Sequence, residues 1–372
     1  MASSAIGLNG PIGLQEGRNK LINGEFNFWQ RGNTFNFGIS FGGETFSYTS
    51  DRWYYYSRAA SGVTMTSVEI TKEDFPFGED IDGMNVTPKY FMKLESGNTA
   101  SGVSGDSLAF LEQRIEDVRS FAGKNATLSF FGKSSEEIKV IQVSAHQFFD
   151  GGSSVVHTSG VTLGLSQTWS KYQCTLQIPN IIGKTLGAGA TNDHLAIRFN
   201  LVSGSSAGYI YDGLNWTQGT TESISLTQIQ LEENNKPTNF ERLDEESEYQ
   251  RVERYYEVVG SHITANNEAL GTNSQHATNH NLVAKRTSDF SPNFVSGQFS
   301  KRNQNRGLTT GYRDKNYVSF VVTANNTVGD IITSFDNTYV TIGIDPGTSN
   351  TIDGYIKVGI DNEIHLGTTG GN

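Results

Sequence analysis

The stretch that decides the fold is residues 224–256, ISLTQIQLEENNKPTNFERLDEESEYQRVERYY, in which a strand, a turn and a charged helix follow one another. Residues 224–231 alternate with the two-residue period of a β-strand, but apolar and polar side chains occur on both sides. We therefore expect a strand that is covered on both faces. The Asn-Asn-Lys-Pro sequence at 234–237 then turns the chain.

From residue 243 the sequence favours a helix. Tyr249, Val252, Tyr256 and Val259 recur at spacings of three, four and three residues, which places them along one side of a helix over 243–259. The spacing predicts a packing seam, either against another part of the chain or against further copies of it. These four residues are the predicted oligomer interface.

The composition is that of an all-β protein. Among 372 residues there are 41 glycines but only 7 prolines, and aromatic residues make up 11%. Short apolar or alternating runs separated by Gly, Asn and Ser favour a β-sandwich. The predicted strands lie at 44–49, 62–70, 90–95, 126–131, 138–144, 171–177, 195–202 and 224–231, and then at 281–285, 294–300, 316–322, 338–343 and 353–360.

One segment has a mixed pattern. In LEQRIEDVRSFAGK, residues 111–124, the positions of Leu111, Ile115 and Val118 fit one side of a helix, and Gly123 marks its end. A strand followed by a short helical turn fits the same residues. We favour helix at 118–122.

The formal net charge of −11 argues against two classes of partner. Nucleic acids and anionic membrane surfaces both attract basic faces, so neither is expected as a partner. No run of eighteen apolar residues is present, and the first ten residues lack the basic and apolar parts of a signal peptide. We expect synthesis in a cytoplasm, no membrane insertion, and release by a route other than secretion.

The chain has a single cysteine, Cys174, so an intrachain disulfide bond is impossible. It lies in an apolar strand pattern, YQCTLQI, and is predicted to be a small buried side chain. No cofactor is indicated, since Gly-Lys-Thr at 183–185 lacks the upstream glycine of a phosphate-binding loop.

Several blocks resemble those of the tail-fibre and receptor-binding proteins of tailed bacteriophages. They are LINGEFNFWQRG at 21–32, DRWYYY at 51–56, LEQRIEDVRSFAGKNATLSFFGKS at 111–134, SQTWSKYQCTLQIP at 166–179, QIQLEENNKPTNFER at 228–242 and YQRVERYY at 249–256. The blocks keep the order found in that family, although Glu253 stands where the family often has Cys. The resemblance implies a jelly-roll-like β-sandwich, a homotrimeric virion fibre and binding to host surface glycans.

The patterns and the resemblance together predict a mostly-β chain, with a jelly-roll-like β-sandwich joined by a short helix to a smaller C-terminal β domain. The predicted parts are an N-terminal arm at 1–20, the sandwich at 21–242, the connecting helix at 243–259 and the C-terminal β domain at 260–372. The arm is either an attachment to the virion or a plain disordered tail.

Aromatic residues of the first unit are the candidate ligand contacts, because the C–H faces of sugar rings stack on exposed aromatic rings. Tyr54 and Tyr56 alternate with Trp53 and Tyr55 along a strand pattern and therefore face the other way. Trp29 and Trp53, which lie in the resembling blocks, are predicted to be core, and Tyr54 and Tyr56 to face the surface.

A Gly-rich stretch, GSSAGYIYDGLNWTQG at 204–219, supplies the remaining candidates. Tyr209, Tyr211 and Trp216 lie in what is predicted to be a strand and an exposed loop. Trp216 is the leading candidate for stacking on a sugar.

No catalytic or metal site is predicted. Cleavage of a glycan needs two carboxyl groups that face each other across the bond, but the acidic residues around Glu112 and at 244–248 are interpreted as charged helix surfaces. His276 and His280 are four residues apart, yet SQHATNHN is interpreted as a loop, so helical geometry does not bring them together.

The leading hypothesis is a non-enzymatic virion fibre that binds host cell-surface glycans, associates with itself as a homotrimer and docks to other phage tail proteins through its arm. Two alternatives are a structural virion component, such as a head fibre or decoration protein, and a glycan-degrading tailspike. A high copy number without host binding would indicate the structural virion component. Release of reducing ends from polysaccharide would indicate the glycan-degrading tailspike.

Overall fold

The computed structural model confirms a mostly-β protein with two antiparallel sheets that form a sandwich, a short helix and a further β unit. It describes residues 17–38, 43–60, 62–71, 87–97, 105–187, 192–205, 214, 221–265, 276–281, 291–301, 304–313, 317–324, 327–335, 339–344, 352–361 and 363. Within these, side chains are described up to residue 258 and at 363.

In the described part of the chain, the sandwich contains thirteen strands. In chain order they are β1 Thr34–Phe37, β2 Glu44–Tyr48, β3 Trp53–Arg58, β4 Val63–Glu69, β5 Tyr90–Ser96, β6 Leu108–Glu116, β7 Asn125–Ser134, β8 Ile138–Phe148, β9 Val156–His157, β10 Val161–Ser166, β11 Ser170–Gln177, β12 His194–Ser203 and β13 Ser223–Glu232. The eight strands predicted for this unit are confirmed. The segment at 118–122 forms turns rather than helix, and β6 is the strand that the mixed pattern also allowed.

Strands that are distant in sequence pair within each sheet. Sheet A has the order β1-β4-β5-β13-β7-β11, and sheet B has the order β10-β8-β12-β6-β3-β2, with the short β9 beside β8. The inner faces of both sheets share one apolar core. That core contains Trp53 and Cys174, whose burial was predicted, and Trp29 packs against its margin. Burial raises the pKa of the Cys174 thiol to about 12.

A bulge in β13 explains why its sequence has no purely polar face. The pairing of β13 with β7 shifts between Thr227 and Gln230, and Gln228 adopts a φ of 51°. The extra residue reverses the alternation, so Ile224 and Leu226 before the bulge and the apolar residues after it all enter the core. The polar side chains of the strand are also buried, so the expected cover on both faces is confirmed.

The segment before β1 is tied to the sandwich through Asn23. The side-chain amide of Asn23 donates to the carbonyl oxygens of Phe28 and Asp51 and to Ser50 Oγ, at 2.9 to 3.0 Å. Its backbone carbonyl accepts from the indole N–H of Trp53 at 3.0 Å. Asn23 itself lies in the left-handed region with φ 58°, which Asn tolerates better than most residues. These bonds join the LINGEF segment at 21–26 to the DRW segment at 51–53.

The predicted helix at 243–259 is wrong in its second half. Helix α1 spans Glu245–Glu253, and Asp244 caps its first turn by accepting from the backbone N–H of Ser247 at 2.9 Å. The chain then enters strand β14, Tyr256–Ala265, so Tyr256 and Val259 do not continue the helical seam. Aromatic and β-branched residues such as Tyr256, Val258 and Val259 favour this strand.

The C-terminal unit is one antiparallel sheet of eight strands. They are β14, β15 His276–Asn281, β16 Ser291–Lys301, β17 Gln304–Arg313, β18 Tyr317–Ala324, β19 Thr327–Phe335, β20 Tyr339–Ile344 and β21 Ile352–Asp361, in the spatial order β14-β21-β16-β17-β18-β19-β20-β15. Four of the five predicted strands fall largely on β16, β18, β20 and β21. The fifth, at 281–285, lies outside the described residues except for residue 281. His276 and His280 lie on strand β15 and not in a loop.

Buried charges join the C-terminal unit to the sandwich. The guanidinium of Arg52 is 1% exposed, pairs with the Glu363 carboxylate and lies 3.4 Å from the centre of the Tyr255 ring. The guanidinium carbon of Arg31 lies 3.5 Å from the centre of the Tyr256 ring. Nη1 of Arg31 lies 3.6 Å from Glu363 Oε1. Arg52 and Glu363 are 311 positions apart in sequence, so this contact is one of the longest-range in the protein.

We expect Gly24→Ala to destabilise the protein. A Cβ atom at Gly24 would lie 2.2 Å from the backbone oxygen of Ile229, which is fixed in the β13 bulge and cannot rotate away. The free energy of unfolding, measured by urea denaturation, should fall by about 2 kcal/mol or more. The control is Gly38→Ala, where the added methyl group meets nothing within 4 Å and the change should stay within about 0.5 kcal/mol. Equal stabilities of the two variants would contradict the role assigned to Gly24.

Candidate functional site

The side of sheet B that faces away from the core carries a polar and aromatic surface, which we call the outer face. Strand register sets its rows, because directly opposed residues of antiparallel strands point to the same side. Across β8, β12, β6 and β3 the rows are Gln142–Asn200–Phe110–Tyr56, Ser144–Arg198–Glu112–Tyr54, His146–Ala196–Arg114, and Phe148–His194–Glu116.

The centre of the outer face is a buried ion network. Glu112 is 0% exposed, and each of its carboxylate oxygens accepts from a different arginine. Arg114 Nε donates to Oε1 at 2.6 Å, and Arg198 Nε donates to Oε2. The interpretation of Glu112 as part of a charged helix surface is therefore wrong, since it lies on a strand and is fully buried.

The two arginines determine the charge state of Glu112. Burial opposes ionisation of the carboxyl group, but the adjacent Arg198 and Arg114 outweigh it and lower the pKa of Glu112 to about 2. Glu112 is therefore ionised throughout the neutral range. The network of one carboxylate and two guanidinium groups carries one net positive charge.

Aromatic rings flank one side of the network. Arg114 lies 4.0 Å from the centre of the Tyr54 ring, and Arg198 lies 4.0 Å from the centre of the Phe110 ring. Tyr56 stacks on Phe110 with ring centres 5.0 Å apart. Phe46, in the neighbouring strand β2, is 58% exposed and marks the accessible edge of this half. Each guanidinium group thus has both a carboxylate partner and an aromatic one.

Histidines flank the other side. Phe148 stacks on His194 at 4.6 Å between ring centres, and His146 stacks on His157 at 5.8 Å. Burial, followed by the charge of Arg114, lowers the pKa of His194 to about 3, so its ring is neutral at pH 7. Nδ1 of His194 lies 2.5 Å from the backbone oxygen of Asn192. Since only a protonated Nδ1 makes that bond, Nε2 is a hydrogen-bond acceptor.

Three acceptor atoms on the outer face have no hydrogen-bond partner among the described residues. They are His194 Nε2, Asn200 Oδ1 and Gln142 Oε1, in side chains that are at most 4% exposed. The amide nitrogen of Asn200 donates to the backbone carbonyl oxygen of Gln142 at 3.3 Å, which fixes the side-chain oxygen of Asn200 as the acceptor that remains. Buried polar atoms are normally paired, so these three acceptors are exceptions within the described part of the chain.

The structure describes two of the five residues predicted to bind a ligand. Tyr54 is only 6% exposed and packs edge-on against Tyr48, so its expected position at the surface is wrong. Tyr56 is half-buried on the same face. Tyr209, Tyr211 and Trp216 lie outside the described residues. Leu214, which comes from their segment, is described and packs on Tyr54 and Phe110.

The four residues of the predicted oligomer seam are divided between two elements. Val252 is buried against Ile22 and Tyr255 of its own chain, and the ring centre of Tyr249 lies 5.3 Å from that of Phe28. Tyr256, on strand β14, is 4% exposed beneath Arg31. The side chain of Val259 lies outside the described residues. The spacing did identify a packing surface, but three of its residues pack within the chain.

Sequence reasoning missed the residues that make up the polar centre of the outer face. The signal was present in β6, where Phe110, Glu112, Arg114 and Glu116 occupy every second position. Reading that segment with a helical period concealed it. The register with β12, which supplies Arg198 and His194, depends on pairing with residues 86 and 78 positions away and has no local signal.

Metal-binding and membrane-spanning features were sought among the described residues. There, no three His, Cys, Asp or Glu side chains are grouped so that they could hold a metal ion. In the same part of the chain, no helix combines the length and apolarity needed to cross a membrane.

Glu112→Gln should destabilise the protein strongly. The substitution leaves two buried guanidinium groups without their counter-charge, and we expect the free energy of unfolding at pH 7 to fall by about 3–5 kcal/mol. Urea denaturation followed by tryptophan fluorescence measures it. The control is Glu233→Gln, because Glu233 pairs with Lys124 at the surface and both side chains are about half exposed. Glu233→Gln should lower the free energy of unfolding by no more than about 1 kcal/mol.

The difference in the free energy of unfolding between the wild type and Glu112→Gln should also depend on pH. The pKa of Glu112 is lower in the folded chain than in the unfolded one, so its contribution is complete above about pH 4.5 and is lost as the pH falls towards 2. The difference in unfolding free energy is therefore expected to be constant between pH 8 and 5 and to narrow below that range. A difference that grows on acidification would contradict the ion network.

Comparisons with known proteins give only distant similarities. No protein-family model matches the chain, and no curated protein matches its sequence. Among solved structures, it is similar to the enzymatically active domain of tailspike protein 4 from bacteriophage CBA120, with 14% identity, a TM-score of 0.30, and coverage of 58% of this chain and 21% of that one.

Two further similar structures are carbohydrate-binding domains. One is the family 11 carbohydrate-binding module from Clostridium thermocellum, with 13% identity, a TM-score of 0.28, and coverage of 51% of this chain and 95% of that one. The other is the N-terminal cellulose-binding domain of Cellulomonas fimi β-1,4-glucanase C, with 12% identity, a TM-score of 0.26, and coverage of 42% of this chain and 88% of that one. Scores this low do not indicate the function of this chain.

Proposed function

We propose that this chain is a glycan-binding protein of a bacteriophage fibre, and that the outer face of sheet B is its binding surface. The observation that carries the proposal is the set of three buried acceptor atoms, on His194, Asn200 and Gln142, that find no hydrogen-bond partner within the described part of the chain. Sugar hydroxyl groups are donors as well as acceptors, so a glycan supplies what these atoms lack.

The spacing of the acceptors favours an extended ligand. His194 and Asn200 are six residues apart on β12, which corresponds to about 20 Å along a strand. That span exceeds one sugar ring, so an oligosaccharide lying along β12 fits better than a monosaccharide. In this proposal the ligand enters from the edge at His157 and Thr162, both of which are exposed.

Aromatic residues supply the flat apolar surfaces on which the C–H faces of sugar rings stack. Phe46 and Tyr56 present rings at the opposite edge of the outer face. Leu214 lies on the same half, and Tyr211 and Trp216 are three and two residues from it in the sequence. We assign these two aromatic residues to stacking on the bound glycan.

The proposed activity is binding without cleavage. A general acid for glycoside hydrolysis needs a carboxyl group that stays protonated near neutral pH, whereas the two arginines keep Glu112 ionised down to a pKa of about 2. Both of its oxygens are also occupied by those arginines. Glu112 therefore holds the surface together and does not transfer protons.

The fibre role rests on the sequence blocks at 21–32, 51–56 and 228–256, which resemble tail-fibre and receptor-binding proteins. With it we propose a homotrimer, docking of the 1–20 arm to other phage tail proteins, and location in the virion. Three linked copies make weak sites effective, because multivalent attachment raises the apparent affinity by orders of magnitude.

Labelled full-length protein should bind host cells, and periodate oxidation of the surface sugars should abolish that binding. On a panel of oligosaccharides, Trp216→Ala is expected to bind at least tenfold more weakly, in line with the loss of one stacking contact. The matched control is Ile182→Ala, whose 88% exposed side chain lies on a turn after β11. It should bind like the wild type.

Three outcomes of this experiment would contradict the proposal. Binding that resists periodate excludes a glycan receptor. Absence of binding to any host points to the structural virion component instead. Release of reducing ends during incubation would identify a glycan-degrading enzyme.

Sedimentation equilibrium of the full chain should give three times the mass of one chain. A trimer is expected because the resemblance implies a homotrimeric fibre, and dilution should not dissociate it at micromolar concentration. A single-chain mass at every concentration would contradict the trimer while leaving glycan binding to be judged by the cell and oligosaccharide measurements.

A further inference from the structure

A pocket of about 200 Å³ lies where the segment before β1, the start of β5 and helix α1 meet. We call it the junction pocket and define it by Glu25, Phe28, Tyr90, Arg242, Glu248 and Arg251, which line it. None of these residues belongs to the outer face of sheet B. Drug-sized ligands occupy pockets of roughly 300–1,000 Å³, so this one suits a smaller molecule.

The polar groups of the junction pocket are held in fixed positions. Glu25 is 5% exposed, accepts from Arg242 Nε at 2.8 Å and accepts from Gln228 Nε2 at 3.0 Å. Arg242 also donates to the backbone oxygen of Thr87 at 2.8 Å. Because several elements hold Glu25 and Arg242, little conformational entropy is lost when a ligand binds.

The second ion pair comes from helix α1. Arg251 Nη1 lies 3.2 Å from Glu248 Oε2, and Glu248 Oε1 accepts from the backbone N–H of Asn23. Two carboxylates of the junction pocket, those of Glu25 and Glu248, are thus each paired with a guanidinium group, and Glu241, Glu245 and Lys89 add further charged groups to its lining. Such a lining would contribute little binding free energy to a ligand with a single charge. It would contribute much more to a ligand whose groups both donate and accept hydrogen bonds.

Aromatic side chains complete the walls. Phe28 and Tyr90 are both partly buried and both line the pocket. The Phe28 ring is held by Tyr249, with ring centres 5.3 Å apart, and the Lys89 ammonium lies 5.2 Å from the centre of the Tyr90 ring. Flat apolar surfaces beside paired donors and acceptors match a ring that has C–H faces and hydroxyl edges.

We propose that the junction pocket binds one pyranose ring in the form of a free hexose. The volume admits one ring, the aromatic walls receive its C–H faces, and the two ion pairs receive its hydroxyl groups. This site is additional to the outer face and does not depend on the proposed function. Three copies in a fibre would each carry it.

Saturation-transfer NMR on the full chain tests the junction pocket with free glucose, galactose, mannose and N-acetylglucosamine. A ligand of about a dozen heavy atoms is expected to bind in the millimolar range, where this method is sensitive. At least one hexose should receive saturation at its ring protons. Tyr90→Ala should weaken that binding at least tenfold, and Tyr90→Phe, which keeps the ring, should retain it.

Further variants separate this site from the outer face. Trp216→Ala should leave hexose binding unchanged, and Tyr90→Ala should leave oligosaccharide binding unchanged. If no hexose receives saturation while the wild-type chain is folded by circular dichroism, the junction pocket is not a sugar site, whatever the oligosaccharide panel shows. Hexose binding that persists in Tyr90→Ala but is lost in Trp216→Ala would overturn the assignment as well.

Discussion

The hydrogen bonds of the Asn23 side chain hold the first unit together. One amide group joins the segment before β1 to the turn before β3, and the carbonyl of the same residue holds the Trp53 indole. The backbone N–H of Asn23 reaches helix α1 through Glu248. Because these bonds converge on a buried residue, removing any of them leaves polar atoms unpaired. The position of the junction pocket follows directly from them.

Eight strands of the sandwich could be predicted from the sequence, because alternation of apolar and polar residues is a local property. The β13 bulge could not, since a two-residue period carries no mark of an inserted residue until pairing with β7 and contact with Gly24 are known. The helix predicted at 243–259 is wrong in its second half for the same reason, because pairing between distant strands has no local signal. Tyr256 and Val259 continue its spacing, but pairing with β21 draws them into strand β14.

The candidate site was predicted only at its aromatic edge. Tyr54 and Tyr56 stood out because three tyrosines follow one another in the sequence, whereas Arg198, His194 and Asn200 look ordinary there. Their roles come from register, which places them opposite residues of β6 and β8. A polar site built across strands therefore has no contiguous motif, unlike one built in a loop.

The pairing of Arg52 with Glu363 has a consequence for the order in which the chain folds during synthesis. A ribosome completes the sandwich strands long before it reaches residue 363, and until then the buried guanidinium group of Arg52 has no carboxylate partner. Such an uncompensated charge is costly in a dry interior. The sandwich should therefore become fully packed around Arg52 only after translation has passed residue 363, so that folding finishes as one event for both units.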